Sequence, residues 1–312
     1  MSNSFLDNVY QGKNNLWRYV LTIILVIFFQ FFFPQIFEII LDVIFILAFH
    51  VPKAMLANEN SLFSQINLYL LSIPLLIILF VCVKYIHKRD VISVFNASKP
   101  LSNKSSILNW FKQFNWLNLL KGMGMFGSLF VVMNTILYLL YPNSFIIGID
   151  LQTLCIYFIP LLILIFIQAT SEEVLFRSYL SQGLSLKIKQ PIIIILITSL
   201  IFGIGHSLNA TGLIPVLVYI AMTFITGIIL SVAMLVTEGI EFSIGIHLIN
   251  NFLLSLIFTS GSPQGLIQNL NDGINVPLFN ILILLIFAVI MFVWKKNEIL
   301  KAIFLKKEES IN

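Results

Sequence analysis

Two adjacent acids and a base, Glu172, Glu173 and Arg177 in TSEEVLFRSYL, interrupt a stretch that is otherwise apolar. An ionised side chain at the centre of a membrane helix costs roughly 2.5 to 3.5 kcal/mol, so charges in such a place carry a functional expectation. Residues four apart share a helical face, whereas neighbours point about 100° apart. Glu173 is therefore expected to pair with Arg177, leaving Glu172 to face elsewhere. A buried carboxylate without a partner, if water reaches it, suits general acid or base work. On this segment alone, an ordinary ion pair at a helix end is an alternative reading.

Two further polar pieces have the spacing of one helical face. In Phe202-Gly-Ile-Gly-His206 the glycines admit a neighbouring helix, and the phenylalanine one turn away can pack beside the imidazole. In His247-Leu-Ile-Asn-Asn251, His247 and Asn251 share a face, with Asn250 offset. Taken singly, each piece reads equally as structural hydrogen bonding between helices. Depth joins them. At a rise of about 1.5 Å per residue, His247 lies about 9 Å, Asn251 about 15 Å and His206 about 22 Å from the starts of their spans. If the helix of Glu172 runs on to Gly183, that carboxylate lies about 17 Å inside it, so all four can meet in one cavity. The other two histidines, His50 near an interface and His87 in a basic loop, read as bystanders.

The elements that must position these residues follow from composition. Hydrophobic residues make up 59% of the 312, charged residues 10%, and phenylalanine occurs 29 times, which no single water-soluble core accommodates. The fold class is all-α, a polytopic transmembrane helical bundle of about eight spans, with approximate limits 17–40, 66–86, 117–140, 151–176, 191–206, 214–236, 241–259 and 276–294. Past Pro34 the apolar run continues to Phe49 with Glu38 and Asp42 interspersed, and is read as an interfacial continuation of the first helix. The fifth span is short for a full crossing. That first helix is read as retained, because no small-residue cleavage site follows it. A net charge of +4 does not indicate nucleic acid, since the basic residues lie at the edges of apolar runs.

Lysine and arginine concentrate after spans two, four and eight, whereas 141–150, 207–212 and 260–273 contain neither, so both termini are expected to be cytoplasmic. Cys82 and Cys155, each in an apolar run without metal-type spacing, read as packed thiols. The chain divides by content into motif-free helices at 1–150, a motif-bearing helical core at 151–260, and a last helix with a basic tail at 261–312.

Glu-Glu-x-x-x-Arg at Glu172, Glu173 and Arg177, Phe-x-x-x-His at Phe202 and His206, and His-x-x-x-Asn at His247 and Asn251 resemble the three ordered motifs of the CPBP family, which includes the CAAX prenyl endopeptidases and the bacterial Abi proteins. The resemblance covers about 165–255. It implies an intramembrane endopeptidase in which Glu172 and His206 activate a water, Glu172 returns its proton to the leaving amine, and His247 and Asn251 donate to the oxyanion. Glu173 and Arg177 then support the helix of Glu172. Family members are named metalloproteases, and Glu172, His206 and His247 would offer one divalent metal, zinc, two nitrogens and a carboxylate; a metal-free mechanism stays open. The resemblance also implies a bacterial cell membrane, the lipid bilayer as surroundings, and a membrane-associated peptide or protein as substrate. Two other classes stay in view: a catalytically silent scaffold, immunity or regulatory protein of the same fold, and a proton-coupled transporter, which the lack of inverted repeats disfavours.

Overall fold

The computed structural model describes residues 4–50, 62–97, 111–147, 151–260, 267–269 and 276–304. Within a bilayer the backbone has no water to bond, so long apolar runs must satisfy their own N–H and C=O groups as helices. Six helices among the described residues are long and apolar enough to cross a membrane: Leu16–Ala48, Ile66–Ile86, Trp116–Leu140, Leu154–Ser185, Leu213–Thr237 and Leu278–Ile303.

In chain order the elements are α1 Leu16–Phe31, α2 Phe33–Phe49, α3 Leu62–Leu70, α4 Ser72–Val81, α5 Trp116–Leu140, α6 Leu151–Glu173, α7 Ser181–Ser185, α8 Pro191–Gly205, α9 Leu213–Thr237, α10 Glu241–Phe252 and α11 Val276–Phe304. Pro34 falls in the first turn of α2, where its missing N–H is tolerated, so the apolar run does continue as helix beyond it. The fifth and seventh expected spans are shorter than full crossings. Helix α8 has 15 residues, about 22 Å at the helical rise, and stops at His206. Helix α10 has 12, extended by one π-helical turn at Leu253–Ile257. Eight spans is therefore an approximate count, met by six long helices and these two short ones.

The fourth span overruns its expected end. A π-helical segment, Val174–Leu180, follows α6 directly and leads into α7, so helical chain continues to Ser185. Glu172 thus lies about 20 Å from that end by the helical rise.

Helix α10 is the centre of the bundle, and every residue from Glu241 to Leu248 is buried. Ile244 and Leu248 join a core with Leu79, Leu161 and Ile165, while Phe242 and Ile246 join a second with Phe126 and Phe287. Its approach to α5 depends on two glycines. A Cβ on Gly245 would strike the carbonyl of Leu119, and one on Gly122 that of Phe242, so the two backbones touch with no side chain between them.

Outside the helices, Phe145–Ile147 (β1), Phe258–Ser260 (β2) and Ile267–Asn269 (β3) form a small sheet in the order β1-β3-β2, β3 running antiparallel to β1 and parallel to β2. It joins two of the three lysine-free connections at one end of the bundle.

One sequence expectation is corrected here. Cys82 is buried as expected, but Cys155 is exposed on the apolar outer face of α6. His87 bonds none of the motif residues, in keeping with its reading as a bystander to them, but it has a structural task. Its ring is buried, with Nδ1 bonded to the Lys13 carbonyl at 3.0 Å and Nε2 to the Tyr179 hydroxyl at 2.8 Å, fastening the segment before α1 to the end of the Glu172 helix. Burial pushes the imidazole down to about 4, against the Lys13 hydrogen bond and with help from Arg89 and Arg18.

Candidate active site

The junction of α6 with its π-helical continuation, the C-terminal end of α8 and the middle of α10 bring the three motifs together. Single π turns recur at functional sites because they re-aim side chains that an α-helix would space evenly. Glu172 and Glu173, the last two residues of α6, both point toward α10.

His247 stands between them. Its Nδ1 lies 2.9 Å from Glu173 Oε1 and its Nε2 lies 3.7 Å from Glu172 Oε2. A carboxylate only accepts, so Nδ1 carries the proton it donates to Glu173, and Nε2 faces Glu172 with a lone pair in the neutral ring. His206 repeats the arrangement from the other side. As the cap of α8 it donates Nδ1–H to the Phe202 carbonyl at 2.8 Å, leaving Nε2 3.9 Å from the same Glu172 Oε2. Two imidazole nitrogens and one carboxylate oxygen thus converge, and Glu172 Oε2 has no hydrogen-bond partner among the described residues.

Exposure differs across the group. Glu173 and Arg177 are fully enclosed at 0% and 1%, and His247 is at 7%, but the side chains of Glu172 and His206 are 20% and 23% exposed. The open side of the site is therefore the side of Glu172 and His206.

Glu173 pairs with Arg177 as its spacing predicts, with Arg177 Nε at 3.3 Å from Oε2. The contact is a charge pair and not an aligned hydrogen bond, since none of the three guanidinium nitrogens has a hydrogen-bond partner among the described residues. Arg177 is instead sandwiched over the Phe202 ring, its Cζ 4.0 Å from the centroid. Phe202 also packs on His206 at 4.4 Å between centroids. The division between the glutamates is less clean than helix faces suggest: Glu173 serves Arg177 and also fixes the ring orientation of His247.

Asn251 is one turn beyond His247, and its amide donates to Gln168 Oε1 at 3.0 Å. Gln168 in turn donates to Glu172 Oε1 at 2.6 Å. Asn250 donates to Asn251 Oδ1 at 3.0 Å, which resolves which of the two amides faces the site. Gln168 escaped the sequence reading, although a glutamine four residues before an intramembrane acid, on its face, was a visible signal. One turn further, Ser255 is bonded to Tyr69 of α3 at 2.7 Å, a partner with no sequence signal at all.

A zinc ion would take two imidazole nitrogens and a carboxylate oxygen at about 2.0–2.2 Å. Among the described residues, no group of three or more His, Cys, Asp or Glu side chains is arranged to hold a metal ion. Glu172, His206 and His247 offer that ligand set by type, with Glu172 Oε2 3.9 and 3.7 Å from the two imidazole Nε2 atoms.

Comparison with known proteins places this geometry. Residues 154–253 match the model of a family described as type II CAAX prenyl endopeptidase Rce1-like. Over 95% of its length, and 97% of the relative's, the chain is 24% identical to the uncharacterized protein YyaK of Bacillus subtilis (strain 168). No solved structure matches the chain. The matched segment, about a third of the chain, contains Glu172, Glu173, Arg177, His206, His247 and Asn251, so over that segment this integral membrane protein of apolar helices is similar to the CAAX endopeptidase family.

Proposed function

We propose that the protein is an intramembrane endopeptidase that hydrolyses a peptide bond of a membrane-associated peptide or protein by direct attack of a water held by Glu172 and His206. The observation that carries this reading is the convergence of His206 Nε2 and His247 Nε2 on Glu172 Oε2 at 3.9 and 3.7 Å. These separations exceed a direct hydrogen bond and suit groups that share a water.

In this mechanism the water lies between Glu172 Oε2, a buried oxygen, and His206 Nε2. The Phe202 carbonyl holds the His206 tautomer whose Nε2 accepts from the water. Glu172 takes the proton as the water oxygen attacks the carbonyl carbon, then delivers it to the amine as the C–N bond breaks. The developing oxyanion is met by an amide N–H of Asn251 and by His247. To donate from Nε2, His247 must be protonated on both nitrogens, and Glu173 supplies the countercharge at Nδ1. Glu173, Arg177 and Phe202 hold the site's shape without touching substrate.

By the excess of lysine and arginine after spans two, four and eight, the His87 end of the bundle is read as cytoplasmic, and the substrate as a membrane-associated peptide or precursor that reaches the site within the bilayer. The test is incubation of the detergent-purified chain with two probes, an internally quenched peptide ending in a prenylated cysteine plus three residues and a library of unlipidated membrane peptides, with and without chelator. Cleavage by wild type that persists in chelator and disappears in Glu172→Ala is expected. Full biological activity of Glu172→Ala or His206→Ala at normal membrane levels would replace the protease by a scaffold. Loss in chelator with recovery on adding zinc would replace the metal-free mechanism.

A further inference from the structure

We infer that Gln168 is a positioning residue that sets Glu172 and Asn251 in register, an inference that rests on the protease reading of this site. Gln168 is buried, 9% exposed, and spans the gap between α6 and α10. Its NH2 end donates to Glu172 Oε1 at 2.6 Å, because an ionised carboxylate only accepts. That choice leaves its carbonyl end facing α10. A carbonyl also only accepts, so Asn251 must turn its own NH2 group toward the site, at 3.0 Å. Asn250 Nδ2 closes the chain by donating to Asn251 Oδ1.

Two consequences follow for the chemistry. One of the two Nδ2 hydrogens of Asn251 is used by Gln168, and the other is left for a substrate oxygen. Without Gln168, nothing on α6 tells the two ends of the Asn251 amide apart. On the acid, Gln168 occupies Oε1 and so leaves Oε2 as the oxygen that meets the two imidazoles. The charge on Glu172 therefore dictates the orientation of an oxyanion donor on another helix through one side chain. A merely structural bridge between α6 and α10 would make the same contacts but would act on stability alone.

The experiment compares wild type, Gln168→Met, Asn251→Ala, Gln168→Met/Asn251→Ala and Glu172→Gln as full-length chains in detergent, using the quenched prenylated peptide or the library peptide cleaved fastest. Methionine keeps the length of glutamine and removes both hydrogen bonds. Gln168→Met is expected to lower kcat about 10- to 100-fold, the usual effect of a side chain that orients a reacting group. KM is expected to stay within about twofold, because Gln168 does not touch substrate and the groups it aims act on the transition state. The double variant is expected to fall within about threefold of Asn251→Ala, because Gln168 acts partly through Asn251. Wild-type kcat in folded Gln168→Met, or effects that multiply in the double variant, overturn the inference. If Gln168→Met fails to fold, Gln168→Leu, which likewise can neither donate to Glu172 nor accept from Asn251, takes its place, and a folded Gln168→Leu with wild-type kcat overturns it equally. Cleavage that depends on Glu172 but not on Gln168 refutes this inference alone. No cleavage by wild type, or cleavage unaffected by Glu172→Gln, refutes the protease reading and the inference with it.

Discussion

The enclosed pair of Glu173 and Arg177 makes a prediction whose size can be worked out. Both side chains are shut off from the surroundings, 3.3 Å apart, and Arg177 has no hydrogen bond to fall back on. Replacing Glu173 with leucine leaves a buried guanidinium whose remaining support is the Phe202 and Phe176 rings. Breaking a buried pair from one side typically costs about 3–5 kcal/mol, because the surviving charge is uncompensated. At about 2–4 °C per kcal/mol for chains of this size, Glu173→Leu should lower Tm by on the order of 10 °C. Arg177→Met should lower it less, because Glu173 keeps the His247 Nδ1–H as a donor. The double variant, with neither charge present, should recover part of the loss, since an apolar pair of similar volume is often neutral or better. Tryptophan fluorescence during heating in detergent, with membrane levels as a second readout, measures all three. A Glu173→Leu variant as stable as wild type, or a double variant whose loss is the sum of the singles, refutes the reasoning that this pair is a buried, mutually dependent unit.

Other parts of the structure make further predictions. Gly245→Ala places a methyl group against the Leu119 carbonyl and should cost about 1–3 kcal/mol, the range for overpacking, whereas Gly205→Ala, with open space at its Cβ, should be silent. A Tm measurement on both variants checks the contrast. His87 takes up its proton near pH 4 in the folded protein and near 6.5 when unfolded, so unfolding binds a proton in that window. Stability contributed by neutral, buried His87 is therefore present above pH 6.5 and is lost as pH falls toward 4. The fall in Tm across this window should be shallower in His87→Gln, and equal slopes would contradict the assignment.

Much of the site was legible because charge in an apolar run is costly and helical spacing is simple. Glu173 with Arg177, and Phe202 against His206, meet as the i, i+4 rule requires. What the spacing cannot show is how helices approach one another. That Glu173 also reaches His247 depends on how α6 packs against α10, for which the sequence carries no periodic signal. The union of β1 with β3 pairs residues as far apart as Phe145 and Asn269, which local pattern does not reveal. His87 looked like one more charge in a basic loop, because its partners, the Lys13 carbonyl and Tyr179 hydroxyl, come from distant segments. Cys155 misled for a simpler reason: in a membrane an apolar run has no polar face, so nothing separates core from lipid-facing positions.

The claim at the centre of this account is that Glu172 activates the water. Peptide cleavage by Glu172→Gln, compared with wild type at equal Tm and equal amounts of folded protein, tests it most directly. Loss of a positioned general base removes about 10²- to 10⁴-fold of rate, and the account predicts a fall of that size with Tm nearly unchanged. Cleavage by folded Glu172→Gln at the wild-type rate would contradict it.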